Sequence, residues 1–334
     1  MTSRSVSLLW NYSTHSTART GTTHSFPCPS TNPDLPTAYH SFVPLPFAVI
    51  VPAHVSPSTR EPGLVIISPT GEARYWDQLS QSFTGAIERY KQAKLQFSEQ
   101  EVVKHVTLAD TNTILVATSL SRLFMLSLSR TTLSARVLAR PSSWGIWNAV
   151  FGSQRSIDPR SGTIALAISY PATAAKSQNR DRLAYTVSDK QMQIWRLPSE
   201  GANDEKLVAD LDLLAPILEA FEGRKIGNSE WATNERKVDI QDIVCARDSG
   251  QVLVLVSHVE TGEQAYAVVV LDVTDATHEN IKAVTVKRLR FRTPSDPRPF
   301  STPKVVIADN DAAFVVFPET AVAISLSCSF LLSY

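Results

Sequence analysis

The sequence predicts an all-β fold assembled from repeated four-stranded antiparallel units, and three observations lead there. Short β-branched or aromatic runs, separated by turns rich in Pro, Gly, Asn and Asp, recur along most of the chain. They fall into groups that begin near residues 102, 163, 239 and 304. The groups repeat every 60 to 75 residues or so, well above the ~40 to 45 of a WD40 blade, and the excess lies in insertions between strands. Units of four strands that bury their faces against their neighbours are the pattern of a β-propeller. Five such units are recognisable, with a remnant strand before them.

Composition supports a large core. The 334 residues are 43% hydrophobic and 19% charged, enough for one big domain or two smaller ones. The 32 basic and 32 acidic side chains cancel, so no global field draws nucleic acid or an anionic surface, and partners must be recognised locally. Cys28, Cys245 and Cys328 are far apart and odd in number, which fits a reducing compartment better than a disulfide framework or a zinc site. No apolar run reaches the ~18 residues of a spanning helix.

Taken in order, residues 8–12 form one short apolar piece that reads as a last strand. From residue 47 the β rhythm begins, at 47–51, 63–68 and 73–76, with Pro69 and Gly71 at turn positions between the second and third runs. Residues 81–101 carry Phe83, Ile87, Tyr90, Ala93 and Phe97 near helical spacing, which predicts a helix packed over one face. Strands follow at 102–108, 114–118, 123–128 and 133–138, then at 164–170, 183–187, 192–197 and 206–211. A third set lies at 239–246, 252–258, 266–272 and 284–291, and a fourth, at 304–308, 312–317 and 321–326, stops after three strands. Between the second and third sets a helix is expected over 213–221, capped by Asp212, with Pro216 tolerated in its first turn.

Residues 142–153, Ser-Ser-Trp-Gly-Ile-Trp-Asn-Ala-Val-Phe-Gly-Ser, break the pattern. This apolar, uncharged island lies between Arg140 and Arg155. As a helix it would place Trp144, Ile146, Trp147, Val150 and Phe151 on one arc of roughly 160°, with small uncharged residues opposite. Burying those five side chains would contribute roughly 8 to 15 kcal/mol. Ordering the segment costs a comparable amount at ~1 kcal/mol or more per residue, so any apolar surface would be bound weakly and reversibly. Two readings stand side by side: a membrane-binding loop at 141–157, or aromatics that cover a blade or a protein partner.

Signals of chemistry are few. No P-loop, GxGxxG, HExxH or GxSxG is present, and the seven histidines have no ligand-like spacing. His105 and His258 lie in strands and read as core or edge residues. The spacing of Asp239 and Asp242 puts them on opposite faces of a strand. Trp76 and Trp195 end strands and read as packing anchors. Arg288, Arg290 and Arg292 recur at period two beside Lys287, with Leu289 and Phe291 on the other face. That is either a solvated outer strand guarded against edge pairing or a docking patch for phosphate or an acidic partner.

The string from Gly63 through Pro69-Thr70-Gly71 to Arg74-Tyr75-Trp76 resembles a strand pair in the N-terminal propeller of the nucleoporin 133 family, outer-ring scaffold proteins of the nuclear pore. Later landmarks keep the same order: Leu123-Phe-Met-Leu126, Leu138-Ala-Arg-Pro141, Gly145-Ile-Trp147, Val150-Phe-Gly152, Gln193-Ile-Trp-Arg-Leu197 and the helix at 213–221. The resemblance spans residues 8–326. It implies a seven-bladed propeller, so the propeller at 1–326 is expected to be incomplete at both ends, with 327–334 an atypical tail.

The resemblance also implies function. The expectation is a non-enzymatic scaffold of the outer ring at the nuclear envelope, supporting protein and mRNA transport, without cofactor, metal or catalytic residues. Its partners would be other outer-ring nucleoporins and, weakly, curved nuclear-envelope membrane, with no sequence-specific nucleic-acid binding. In that family the loop matching 142–153 senses loose lipid packing, and a polar face without Lys or Arg favours packing defects over anionic charge. The alternative is a propeller adaptor of another coat or a ubiquitin-ligase assembly.

Overall fold

The structure is a computed structural model. It describes residues 6–11, 22–29, 46–52, 61–82, 86–99, 101–110, 112–129, 131–138, 162–169, 182–197, 205–222, 238–246, 250–260, 262–273, 281–294, 302–308 and 312–326. The chain divides into two compact units, Met1–Gly162 and Thr163–Tyr334. The inserted loop at 141–157 and the tail at 327–334 lie outside the described residues.

In the first unit, strands β1 (Val6–Asn11) and β2 (Thr22–Pro27) pair antiparallel. The second of these was not expected, because the apolar piece near residue 8 reads alone in the sequence. Next comes a four-stranded sheet in sequential order, β3 (Phe47–Val51), β4 (Gly63–Ile67), β5 (Glu72–Trp76) and β6 (Lys91–Lys94). A second follows, β7 (Val103–Asp110), β8 (Thr113–Thr118), β9 (Leu123–Leu128) and β10 (Leu133–Val137). Every residue of β4 is buried, as a continuous apolar strand requires when both faces are covered. Val65 and Ile67 pack with Ile114, Val116 and Phe124 of the next sheet. Leu64 and Ile66 pack with Phe26 and Trp76 on the other side. The turn between β4 and β5 closes as expected. Gly71 N donates to Ser68 O at 3.0 Å, and Gly71 has a φ of 85°, a value that glycine adopts without strain.

The helix expected over 81–101 is replaced by 3-10 turns at Leu79–Ser82 and Ala86–Glu88, followed by β6. A helix would have kept its apolar side chains on one face, but these serve both faces of one sheet. The Trp76 indole donates to Ile87 O at 2.9 Å, and the Tyr90 ring lies 5.5 Å from Trp76. Phe97 packs on the opposite side, 5.4 Å from Phe124. The turns wrap Trp76, and the chain then crosses the sheet edge as its fourth strand.

The second unit holds three sheets. The first comprises β11 (Thr163–Ser169), β12 (Arg182–Ser188), β13 (Gln191–Leu197) and β14 (Lys206–Asp212). Helix α1 (Leu214–Glu222) follows. Asp212 Oδ1 accepts Leu214 N at 3.0 Å at its start, the capping role expected of it. The next sheet comprises β15 (Val238–Cys245), β16 (Gln251–Glu260), β17 (Glu263–Asp272) and β18 (Lys282–Pro294). The last comprises β19 (Lys304–Ile307), β20 (Ala312–Val316) and β21 (Ala321–Ser325). Strand β16 is the centre of this unit. Val252, Val254 and Val256 pack with α1 and the preceding sheet, while Leu253 and Leu255 pack with the last sheet. Trp76 and Trp195 are both buried, as packing anchors should be.

Candidate partner-binding surface

Two groups of residues carry the functional expectations, and the described structure reaches one of them. Trp144, Ile146, Trp147, Val150 and Phe151 lie outside the described residues. Lys287, Arg288, Arg290 and Arg292 lie on β18, the fourth strand of its sheet.

The geometry of β18 comes from how it pairs. Ala265 of β17 faces Arg292, and Ala267 faces Arg288, so Leu289, Arg290 and Phe291 bulge opposite the single residue Tyr266. The bulge bends the strand, and the Tyr266 hydroxyl lies 2.8 Å from Thr293 Oγ1 across it. Alternation survives. Arg288, Arg290 and Arg292 are exposed, while Leu289 and Phe291 turn into the apolar layer between β15–β18 and β19–β21. The Phe291 ring lies 4.4 Å from Phe317, which in turn stands 5.0 Å from Tyr266.

The cations differ in their surroundings. Arg288 stands over the Phe221 ring of α1, its guanidinium carbon 5.8 Å from the ring centroid. Arg292 lies 3.5 Å from the Glu263 carboxylate, both side chains well exposed, a pairing worth ~0 to 1 kcal/mol. The Lys287 ammonium donates to Ser325 O at the end of β21. Arg290 has no ion pair among the described residues. Between β18 and β21 runs an open groove of about 330 Å³, lined by residues 287–290 and 322–325. Among the described residues, β18 lines it with Lys287, Arg288, Leu289 and Arg290, and β21 with Val322, Ala323, Ile324 and Ser325.

The spacing of Asp239 and Asp242 predicts opposite faces, but a bulge at Gln241 pairs them with Ser257 and Leu255, two residues apart, and so brings them to one face, where Asp239 is exposed and Asp242 is buried. Asp242 accepts the Lys304 ammonium at 3.2 Å and Val305 N at 2.9 Å, which ties β15 to β19. Burial pushes its carboxyl above the usual value, and Lys304 and the Val305 amide oppose that shift. Burial pushes the Cys245 thiol up to about 12, so it is protonated and unreactive at neutral pH. Among the described residues, no three His, Cys, Asp or Glu side chains are placed to hold a metal ion. No helix among them is long and apolar enough to cross a membrane.

The alternation of the cations is legible in the sequence, but the apolar wall that Leu289 shares with Val322 and Ile324 is not. The side chains of β18 that look toward β21 depend on the bulge at Tyr266, which no local motif announces.

Within each unit, antiparallel sheets whose strands follow in sequential order pack face to face, the arrangement of blades in a β-propeller. The fold is that of the β-propeller domain of Nup133 from Vanderwaltozyma polyspora, which the chain matches with a TM-score of 0.64 at 17% identity over 85% of this chain and 70% of that one. A Chaetomium thermophilum structure of the Nup170 N-terminal domain with Nup53 is similar at a TM-score of 0.48 and 13% identity, over 94% of this chain and 42% of that one. No curated protein sequence matches. The family model described as Nup133 N terminal like, of the nucleoporin N-terminal class, matches residues 1–334, and the chain belongs to that family. With the family comes a scaffold role at the nuclear pore.

Proposed function

We propose that this protein is a non-enzymatic scaffold of the outer ring of the nuclear pore, acting at the nuclear envelope in support of protein and mRNA transport. The observation that carries the reading is the family match over residues 1–334 on a chain folded as propeller blades. Blades present rigid sheet edges and inserted loops to partners, and other outer-ring nucleoporins are the partners this role requires. Sequence-specific nucleic-acid binding is not part of it, since the net charge is zero. The test is the position of the fluorescently tagged chain in cells together with the proteins that co-purify with it. A nuclear rim pattern with outer-ring nucleoporins is expected. A coat or ubiquitin-ligase assembly in their place would overturn the reading in favour of an adaptor.

The loop at 142–153 supplies a second contact, with curved membrane. Its five large apolar side chains and uncharged polar face support binding driven by lipid-packing defects rather than by anionic headgroups. Trp147→Asp abolishes flotation with small, highly curved liposomes, and the parent chain binds those better than large ones. Equal binding to curved and flat vesicles would sink the packing-defect mechanism.

A further inference from the structure

Strand β18 carries a second pattern besides its alternation. Arg288, Arg290 and Arg292 are followed directly by Thr293 and Pro294, so one hydroxyl stands after three arginines and before a proline. The pairing of β18 sets that hydroxyl apart. Past the bulge opposite Tyr266, the end of the strand is held by three pairs: Arg292 with Ala265, Thr293 with Gln264 and Pro294 with Glu263. The bulge interrupts the ladder on one side, and Pro294 has no N–H to extend it on the other. Three pairs at a strand end can open while the ladder from Lys282 to Arg288 stays closed. Among the described residues β18 is the outermost strand of its sheet. The three arginines and Pro294 are exposed, and Thr293 is half-buried.

We propose that Thr293 is a phosphorylation site, recognised by a protein kinase through the arginines before it and the proline after it. Charge patterns set kinase–substrate pairing, and guanidinium groups upstream of the acceptor suit an acidic substrate groove. Residues 288–294 are already extended, so a kinase meets them without refolding the strand. In the transfer, Thr293 Oγ1 bonds the γ-phosphorus of ATP, the bond to the β-phosphate oxygen breaks and ADP leaves, while the hydroxyl proton passes to the kinase's catalytic aspartate. The effect follows from where the hydroxyl lies. Thr293 Oγ1 is 2.8 Å from the Tyr266 hydroxyl, and the Tyr266 ring stands 5.0 Å from Phe317, just past β20. A phosphate in that position lies beside buried aromatic rings and loses its hydration, which disfavours the closed arrangement. Outside it, the phosphate pairs with Arg290 or Arg292. Phosphorylation therefore holds the end of β18 open and loosens the contact of its sheet with β19–β21. The site stands whether or not the chain is a nuclear-pore scaffold.

The purified full chain is incubated with ATP and a soluble extract of the cells it comes from, and mass spectrometry maps the phosphate. Phosphate on Thr293 is expected, and Thr293→Val removes it. The double variant Arg288→Gln/Arg290→Gln keeps the acceptor, and its labelling at Thr293 should fall at least ~10-fold with the loss of charge-assisted hydrogen bonds to the kinase. Pro294→Ala should lower it as well. A synthetic peptide of residues 286–296 with the same substitutions repeats the comparison where no fold is at stake. In the phosphorylated chain, hydrogen exchange should quicken at residues 292–293 and 313–316 and stay unchanged in β7 to β9. Phosphate at other positions only, equal labelling of the peptide with and without its arginines, or unchanged exchange on phosphorylation overturns the inference.

Discussion

Glu101 is the buried charge on which the first unit depends most. Its side chain is fully buried, while that of Arg122 is 32% exposed. One carboxylate oxygen accepts Thr118 Oγ1 at 2.5 Å and Arg122 Nε at 2.9 Å. The other accepts Ser98 N at 2.8 Å and the Arg122 Nη2. Through Arg122, which also donates to Gln96 O at 2.9 Å, the cluster joins the segment after β6 to the turn after β8. Glu101→Ala strands four donor groups on three residues. A broken buried ion pair costs ~3 to 5 kcal/mol, but Arg122 can rehydrate through its exposed part, while Thr118 cannot. The expected loss is about 2 to 4 kcal/mol, with Glu101→Gln losing about half as much because it keeps the shape and an acceptor. Urea titration gives the magnitude, and hydrogen exchange places it: amides of β7 to β9 should open before those of β15 to β17. A Glu101→Ala chain within ~0.5 kcal/mol of the parent, the range of ordinary surface changes, would refute the reasoning.

Three further outcomes follow from the same kind of accounting. The folded Asp242 carboxyl is held above its ordinary 3.8, so the native chain keeps that proton when the unfolded chain has lost it. Stability therefore falls as pH rises from 3.8 through the folded value, and Asp242→Asn should flatten that slope in urea midpoints measured against pH. Gly71→Ala forces a Cβ to within 2.8 Å of the Phe97 ring at a φ of 85°, and should cost at least ~1 kcal/mol in denaturant titration. On β20, Phe314 is 38% exposed and Val315 is buried. Val315→Ser should therefore cost ~2 kcal/mol or more, while Phe314→Ser stays within ~0.5 and lowers self-association by light scattering; similar losses for both would contradict the burial pattern.

Strands that bury one or both faces were legible in the sequence because periodicity records burial. The runs at 63–68, 114–118, 252–258 and 266–272 became β4, β8, β16 and β17, and the capped helix after Asp212 is α1. Strands without an apolar face were not legible. β6 is Lys-Gln-Ala-Lys, with only Ala93 turned toward the core, and the side chains of its approach satisfy Trp76 instead of a helix face. β2 is Thr-Thr-His-Ser-Phe-Pro, and its Phe26 is buried. Its value lies in covering a sheet face 40 residues downstream, which local composition does not encode. The candidate site divides the same way. The arginine alternation at 288–292 follows from residue types alone, but the groove exists only because two strands far apart in sequence lie side by side.

The polar clasps explain what apolar packing leaves open. Leu253, Leu255 and Val268 meeting Val305 and Val315 would tolerate a shift of one sheet over the next, since apolar contact has little direction. Asp242 does not tolerate it. Moving β19 by one residue takes Val305 N and the Lys304 ammonium away from a carboxylate that is buried, and a buried charge without partners costs several kcal/mol. The same contact sets where β21 lies relative to β18, because β19, β20 and β21 move as one sheet. Asp242→Ala should therefore cost about 1 to 3 kcal/mol in urea titration, because Val305 N is left without its acceptor, whereas Asp239→Ala, at an exposed position of the same strand, should stay within ~0.5 kcal/mol. Equal losses from the two would mean that the clasp does not hold the sheets in register.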